Sequence, residues 1–308
     1  MENNLIIPHE QYIDLSEIKN KTTYVMATSQ VDIKILMWSV FSLLLRSNHD
    51  YVEHYIFNIN GPHKKTGNPE LQDIKQMFFE TLRDNYEFPV SIFRIWGRQG
   101  HTHSIDGCVP WVHTEYYTLV HDDIILLEDW TNQLKLYSSD PKRCLIGLPP
   151  LLIRHKFKCK FNNKLRLSLP HLNSCFLHVK KSCIEKTWHG HHVGKKIKFT
   201  KEVYDEFMKT YGDFSYVNEI EIGDEFEYIN TDVGSWILQD LKFRDYNFYL
   251  FSPQTCHHIS MASWANELNL SVSLSNCKHI IKKLEKDILN SKFKDLYLEY
   301  CKHSNIII

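Results

Sequence analysis

Tyr117-Thr118-Leu119-Val120-His121-Asp122-Asp123-Ile124-Ile125-Leu126 is a β-rich run that breaks on three hydrophilic, metal-competent side chains and then resumes as apolar sequence. Burying two adjacent carboxylates is costly unless a cation or hydrogen-bond donors offset their charge. A divalent ion between Asp123 and a diphosphate would do so. Mg²⁺ and Mn²⁺ favour carboxylate and phosphate oxygens, and Mn²⁺ also tolerates imidazole. The bland alternative is a strand-end turn with solvated acids.

Working back from this break, the chain alternates strand and helix signals. Thr23 to Thr28 is β-type and Ile33 to Arg46 helical; Val52 to Ile59 is β-type, ending at the turn signal Asn60-Gly61-Pro62. Leu71 to Arg83 has helical spacing through Leu71, Ile74, Met77-Phe78 and Leu82, and Phe88 to Trp96 reads as a third strand. His103 to His113 is a short helix and Tyr116 to Val120 a fourth strand. Such alternation predicts an α/β fold with a mostly parallel sheet flanked by helices. Ligands in these sheets bind at the carboxyl ends of the strands, where His121-Asp122-Asp123 falls.

Working forward, the character changes at Asp140-Pro141 and at Leu148-Pro149-Pro150. Residues 154–166 are basic, and Leu165 to Lys180 reads as strands around a Pro170 turn. A helix opens at Asp232 or Val233, and a long amphipathic helix is expected from about Asn276 to His303. The basic stretch reads as a solvated hairpin, or as a patch attracting a diphosphate, an anionic glycan or, in peripheral contact, a phospholipid membrane surface.

With 308 residues, 43% of them hydrophobic, the chain can fill a sizeable core. A formal net charge of -1 leaves no global field to steer nucleic acid, so no nucleic-acid partner is expected. The apolar run from Ile35 to Leu45 is too short to span a bilayer, and the first residues lack the pattern of a secretory signal. Eight cysteines without a C-x-x-C pair read as reduced thiols, giving a cytoplasmic expectation.

The run from Gly100 through Asp106, Thr114-Glu115-Tyr116 and His121-Asp122-Asp123 resembles the nucleotide-sugar half of GT-A fold glycosyltransferases, above all the family-2-like group. There a glycine, a helix with a polar residue, an x-Glu-Tyr step and a strand lead into an Asp-x-Asp motif; here His121 replaces the first Asp. The resemblance implies a GT-A fold with a donor region over 20–150, an acceptor region over 151–265 and a C-terminal helical extension over 266–308. It also implies transfer of a sugar from a UDP- or GDP-linked donor to a glycan hydroxyl, with Mn²⁺ or Mg²⁺ as cofactor. The donor would meet Thr28, Ser29, Gln30, Asn60, Gly100, His103, Asp106 and Asp122. The metal would meet His121, Asp123 and one of His257 and His258. The segment Tyr228-Ile-Asn-Thr-Asp-Val-Gly-Ser-Trp resembles the acceptor side. It would supply Asp232 as general base of an inverting transfer and Gly234, Ser235 and Trp236 as acceptor contacts, with His191 nearby.

Two other classes compete. His101-Thr-His103-Ser-Ile-Asp106 resembles the H-x-H-x-D-H ligand run of metallo-β-lactamase-like hydrolases, but its Asp is one position late and Gly107 stands where a His belongs. The third class is a non-catalytic sugar-binding protein on a degenerate transferase fold.

Overall fold

Thr22–Thr28 (β1) is buried along its whole length, as a central strand covered on both faces must be. In the computed structural model it pairs in parallel with Val52–Ile59 (β2) on one side and Tyr116–His121 (β4) on the other. The structure describes residues 21–61, 68–96, 101–131, 133–134, 140, 142–148, 156–158, 165–167, 173–184, 196–198, 201, 225–227, 246–259 and 267–306.

Between β1 and β2 runs Ile33–Arg46 (α1), opened by the Asp32 side chain accepting from the Lys34 N–H at 2.7 Å. Between β2 and Val90–Arg94 (β3) runs Pro69–Asn85 (α2), with Asn68 as N-cap and proline in its first turn. His101–Asp106 (α3) precedes β4, which a tight turn at Asp122 and Asp123 separates from Ile124–Leu126 (β5).

The sheet continues through Arg143–Leu148 (β6), Asn173–Lys180 (β9) and Asn247–Leu250 (β12) in the order β12-β6-β9-β4-β1-β2-β3. Only β9 runs against its neighbours, antiparallel to both β4 and β6, so the sheet is mostly parallel and flanked by helices as expected. Lys156–Lys158 (β7) pairs antiparallel with Leu165–Leu167 (β8), and Lys196–Lys198 (β10) with Glu225–Glu227 (β11).

The larger apolar core lies between the sheet and a face built from α1, α2 and the C-terminal helices Glu267–Asn276 (α5), Lys278–Leu289 (α6) and Lys294–Cys301 (α7). This helical cover explains why α1 is buried nearly all round. Lys34–Glu285 and Arg46–Asp287 ion pairs, at 3.3 and 3.0 Å, tie α1 to α6, and Trp38 Nε1 donates to the Tyr297 hydroxyl at 3.1 Å. The single long helix expected from Asn276 to His303 is corrected to α6 and α7. Ser291 breaks it, because its hydroxyl donates to the Ile288 carbonyl at 2.7 Å and accepts from the Phe293 N–H at 3.1 Å, replacing helical bonds.

The thiol expectation is also corrected. Cys144 on β6 and Cys183 on Lys181–Ile184 (α4) form a disulfide, while Cys108, Cys175, Cys256, Cys277 and Cys301 are free. β6 lies beside β9, and α4 follows β9 directly, so their Cα atoms come within 6.3 Å. The cytoplasmic expectation rested on reduced thiols and loses that support. Among the described residues, no helix is long and apolar enough to cross a membrane.

Candidate functional site

His121 is the last residue of β4 and sits in register with Ala27 near the carboxyl end of β1. The chain then turns through Asp122 and Asp123 into β5, which leaves the main sheet to pair antiparallel with Cys256–His258 (β13). Anchors on α1 hold β5 in place. The Ser39 hydroxyl donates to the Ile124 carbonyl at 2.5 Å, the Leu126 N–H donates to Ser42 Oγ at 2.9 Å, and the Arg46 guanidinium donates to the Leu126 carbonyl.

This ribbon decides between the adjacent histidines. His258 lies opposite Ile124 and His257 opposite Ile125, so their side chains leave an extended strand on opposite faces. The Ile259 N–H donates to the Asp123 carbonyl at 2.8 Å, fixing the register. His258 Nε2 therefore stands 3.1 Å from Asp123 Oδ1, and His121 Nδ1 stands 3.9 Å from the same oxygen. The candidate ligand atoms of His121, Asp123 and His258 all lie within 4.8 Å of one another, and His257 is not part of the group. The half-buried His257 ring is held below the usual imidazole range, first by burial and then by His258 and His279.

The donor set is two imidazole nitrogens and one carboxylate around a buried acid. Asp123 and His258 present their donor atoms 3.1 Å apart, close enough that one ion would be shared between them. Those residues fit a divalent first-row cation better than Mg²⁺, which prefers oxygen alone.

Asp122 has different company. It is as buried as Asp123, each 5% exposed, and it accepts a hydrogen bond from the Thr28 hydroxyl. Burial, and then the like charge of Asp123, push its carboxyl up to about 6; Lys75 and Thr28 resist. Lys75, 0% exposed, donates to Thr28 Oγ1 and to the Ser29 carbonyl, both at 2.9 Å, and Gln72 Nε2 donates to that same carbonyl at 2.6 Å. Burial pulls the Lys75 ammonium down to about 8, with Asp122 and then Asp32 opposing the fall.

Sequence reasoning missed Lys75 and Gln72. A signal was there: Lys75 lies on the stripe Leu71, Lys75, Phe78, Phe79 and Leu82 that α2 turns to the core. A lysine at a core position of a helix needs a partner.

Of the donor-side residues, Thr28 is buried and Ser29 and Gln30 are half-buried at the end of β1. Asn60, also buried, is joined to them by its N–H donating to the Thr28 carbonyl at 2.8 Å. Thr28, Asn60 and Asp122 thus stand on neighbouring strand ends. Asp106 is half-buried on α3 and outside the His121 group. The side chain of His103, like that of His101, lies outside the description, as do Gly100, His191, Asp232, Gly234, Ser235 and Trp236. Among the described residues, His121–Asp123–His258 is the one group able to hold a metal; the hydrolase run falls on His101 and His103, whose side chains lie outside the description. Of the basic stretch 154–166, only the backbone of β7 and the start of β8 is described.

No protein-family model matches the chain, and no curated protein matches it. Solved structures share parts of its shape. HddC from Yersinia pseudotuberculosis is 14% identical, with a TM-score of 0.34 over 55% of this chain and 81% of that one. The 4-diphosphocytidyl-2C-methyl-D-erythritol synthase from Anaerococcus prevotii is 9% identical, with a TM-score of 0.43 over 85% and 98%. A Bacillus anthracis protein assigned as a glucose-1-phosphate thymidylyltransferase, solved with sucrose, is 8% identical, with a TM-score of 0.46 over 83% and 95%.

Proposed function

We propose that this chain is a metal-dependent glycosyltransferase that takes a nucleotide-diphosphate sugar at the carboxyl ends of β1, β2 and β4. The observation that carries the reading is the meeting of His121, Asp123 and His258 at that edge, with residues far apart in sequence brought onto one oxygen. A strand-end turn with merely solvated acids gives no reason for a second histidine to be delivered by a separate ribbon.

In this reading His121, Asp123 and His258 hold Mn²⁺ in preference to Mg²⁺, because two of the three donors are imidazole nitrogens. A divalent ion held there would supply Lewis acidity toward the diphosphate of the donor. Thr28, Ser29, Gln30 and Asn60 line the nucleoside end, with Asp122 between them and the ion. Residues 20–150 form the donor region and 151–265 the acceptor region. Asp232 serves as general base for the acceptor hydroxyl, which makes the transfer inverting. The acceptor is a glycan hydroxyl.

The test is a panel of UDP- and GDP-linked sugars with Mn²⁺, read as nucleotide release and as thermal stabilisation. Turnover of one donor, abolished by EDTA and restored better by Mn²⁺ than by Mg²⁺, is the expected result. If every donor is inert and none raises the melting temperature with Mn²⁺ present, the reading is wrong.

A further inference from the structure

The carboxyl ends of the strands carry one more large side chain, and the core does not use it. β3 runs parallel to β2, and their pairing continues past Arg94, because the Ile95 N–H donates to the Ile59 carbonyl at 3.0 Å. Trp96 therefore leaves the sheet close to Asn60. Among the described residues it is the one exposed aromatic, with 67% of its surface open to water. A single exposed apolar residue is ordinary in itself. This one, however, is held in place. The Arg94 guanidinium lies 4.1 Å from the centre of the indole ring, and it is fixed there by Asp73 at 2.6 Å and Gln76 at 2.7 Å, both on α2. A guanidinium stacks on one aromatic face. The other face is left for a second flat partner.

The position says which partner. His121 closes β4, and β4 lies three strands from β3 in the order β4-β1-β2-β3. Neighbouring strands stand about 4.8 Å apart, which puts Trp96 roughly 14 Å from the metal site along the row of strand ends. A ligand bridging the two needs an anionic, oxygen-rich end for the ion and a flat ring at the other. An extended nucleoside diphosphate has both, with the ribose between them.

We infer that Trp96 is the stacking platform for the nucleobase of the donor, clamped from behind by Arg94. This rests on the nucleotide-sugar reading above and goes beyond it by giving the base a contact that Thr28, Ser29, Gln30 and Asn60 do not supply. Those four offer hydrogen bonds, which discriminate between bases. A stack does not, since every base has a π face. Trp96 thus supplies affinity common to UDP and GDP and leaves the choice between them to its neighbours.

Calorimetric titration of the full chain with UDP, GDP and inorganic pyrophosphate, each with Mn²⁺ present, separates the two ends of the ligand. Trp96→Ala is expected to bind both nucleotides about ten- to a hundredfold more weakly, the scale of one lost base stack. Its affinity for pyrophosphate should stay close to that of the parent. Trp96→Phe, which keeps a ring, should recover most of the loss. Unchanged nucleotide affinity in Trp96→Ala overturns the inference and leaves the nucleotide-sugar reading standing. An equal loss of pyrophosphate and nucleotide also overturns it, because Trp96 would then only support the fold around the metal. If the parent holds pyrophosphate as tightly as UDP, the base makes no contact and the platform alone is wrong. If the parent binds neither nucleotide nor pyrophosphate, the nucleotide-sugar reading fails and the platform falls with it.

Discussion

Two polar clusters are buried in the same sheet, and they are built on opposite plans. Toward the amino ends of β1 and β4, Thr22, Thr118 and His178 are joined by bonds of 2.9 Å, with Tyr116 stacked on the His178 ring at 4.9 Å. At the carboxyl ends of β1 and β4, Lys75 donates to Thr28 Oγ1 at 2.9 Å and Thr28 to Asp122, but two of these groups are ionisable, and Asp122 Oδ2 finds no hydrogen-bond partner among the described residues. The first cluster is made of groups that can all be neutral and matched, which is the cheap way to bury polarity. The second keeps charge out of water at a cost that folding alone does not justify. The difference separates a neutral cluster at the amino ends from a charged one at the carboxyl ends, beside the proposed metal site.

The comparison breaks most visibly at Asp123. In Asp123→Asn, donor turnover should fall about a thousandfold, roughly 4 kcal/mol of transition-state stabilisation, while the melting temperature holds or rises because a buried charge has gone. Turnover within tenfold of the parent would leave the turn a purely structural element.

Acid titration should sharpen the contrast. Burial, and next the Arg143 charge, hold the His178 imidazole down at about 3. Its folded-state value is depressed below the ordinary 6.5, so it contributes stability above 6.5 that is lost as pH falls through that window toward 3. The loss should be on the order of a few kcal/mol, read from urea melts between pH 7 and 4. His178→Gln should flatten the slope. Asp122 runs the other way: its folded-state value is raised, so its burial penalty is present above about 6 and is relieved as pH falls toward 3.8. The acid slope should therefore be steeper in Asp122→Asn than in the parent. Equal slopes in all three proteins would erase the distinction between the clusters.

The smallest effect separates the adjacent histidines. His258→Ala should weaken Mn²⁺ binding by roughly ten- to a hundredfold, the scale on which metal-site residues act, whereas His257→Ala should leave it within about twofold. Titrating both variants with Mn²⁺ measures the difference.

Much of the fold was legible because β1, α1, β2, α2 and β4 each write their periodicity into consecutive residues. The polar break at His121-Asp122-Asp123 was legible for the same reason, since a strand does not bury two acids by accident. What stayed hidden depends on pairing between distant segments. The residues from Asn173 to Lys180 look like a strand without saying which way it runs. Cys144 and Cys183 are brought together by that reversal, 39 residues apart. The choice of His258 over His257 is a matter of register on β5, which neither histidine encodes alone. Lys75 was overlooked for a different reason: lysine is read as solvent-facing by default, and the helical stripe that contradicts this is visible only if charge is ignored.

The Asp123–His258 bond spans 135 residues. Its order of synthesis follows from that span. When the acid leaves the ribosome, its partner has not been made, and the two cannot meet until the intervening segment has followed. A nascent chain lacking β13 has the β1, β2 and β4 edge but no clasp across it. The clasp therefore depends on a segment made long after the edge it closes.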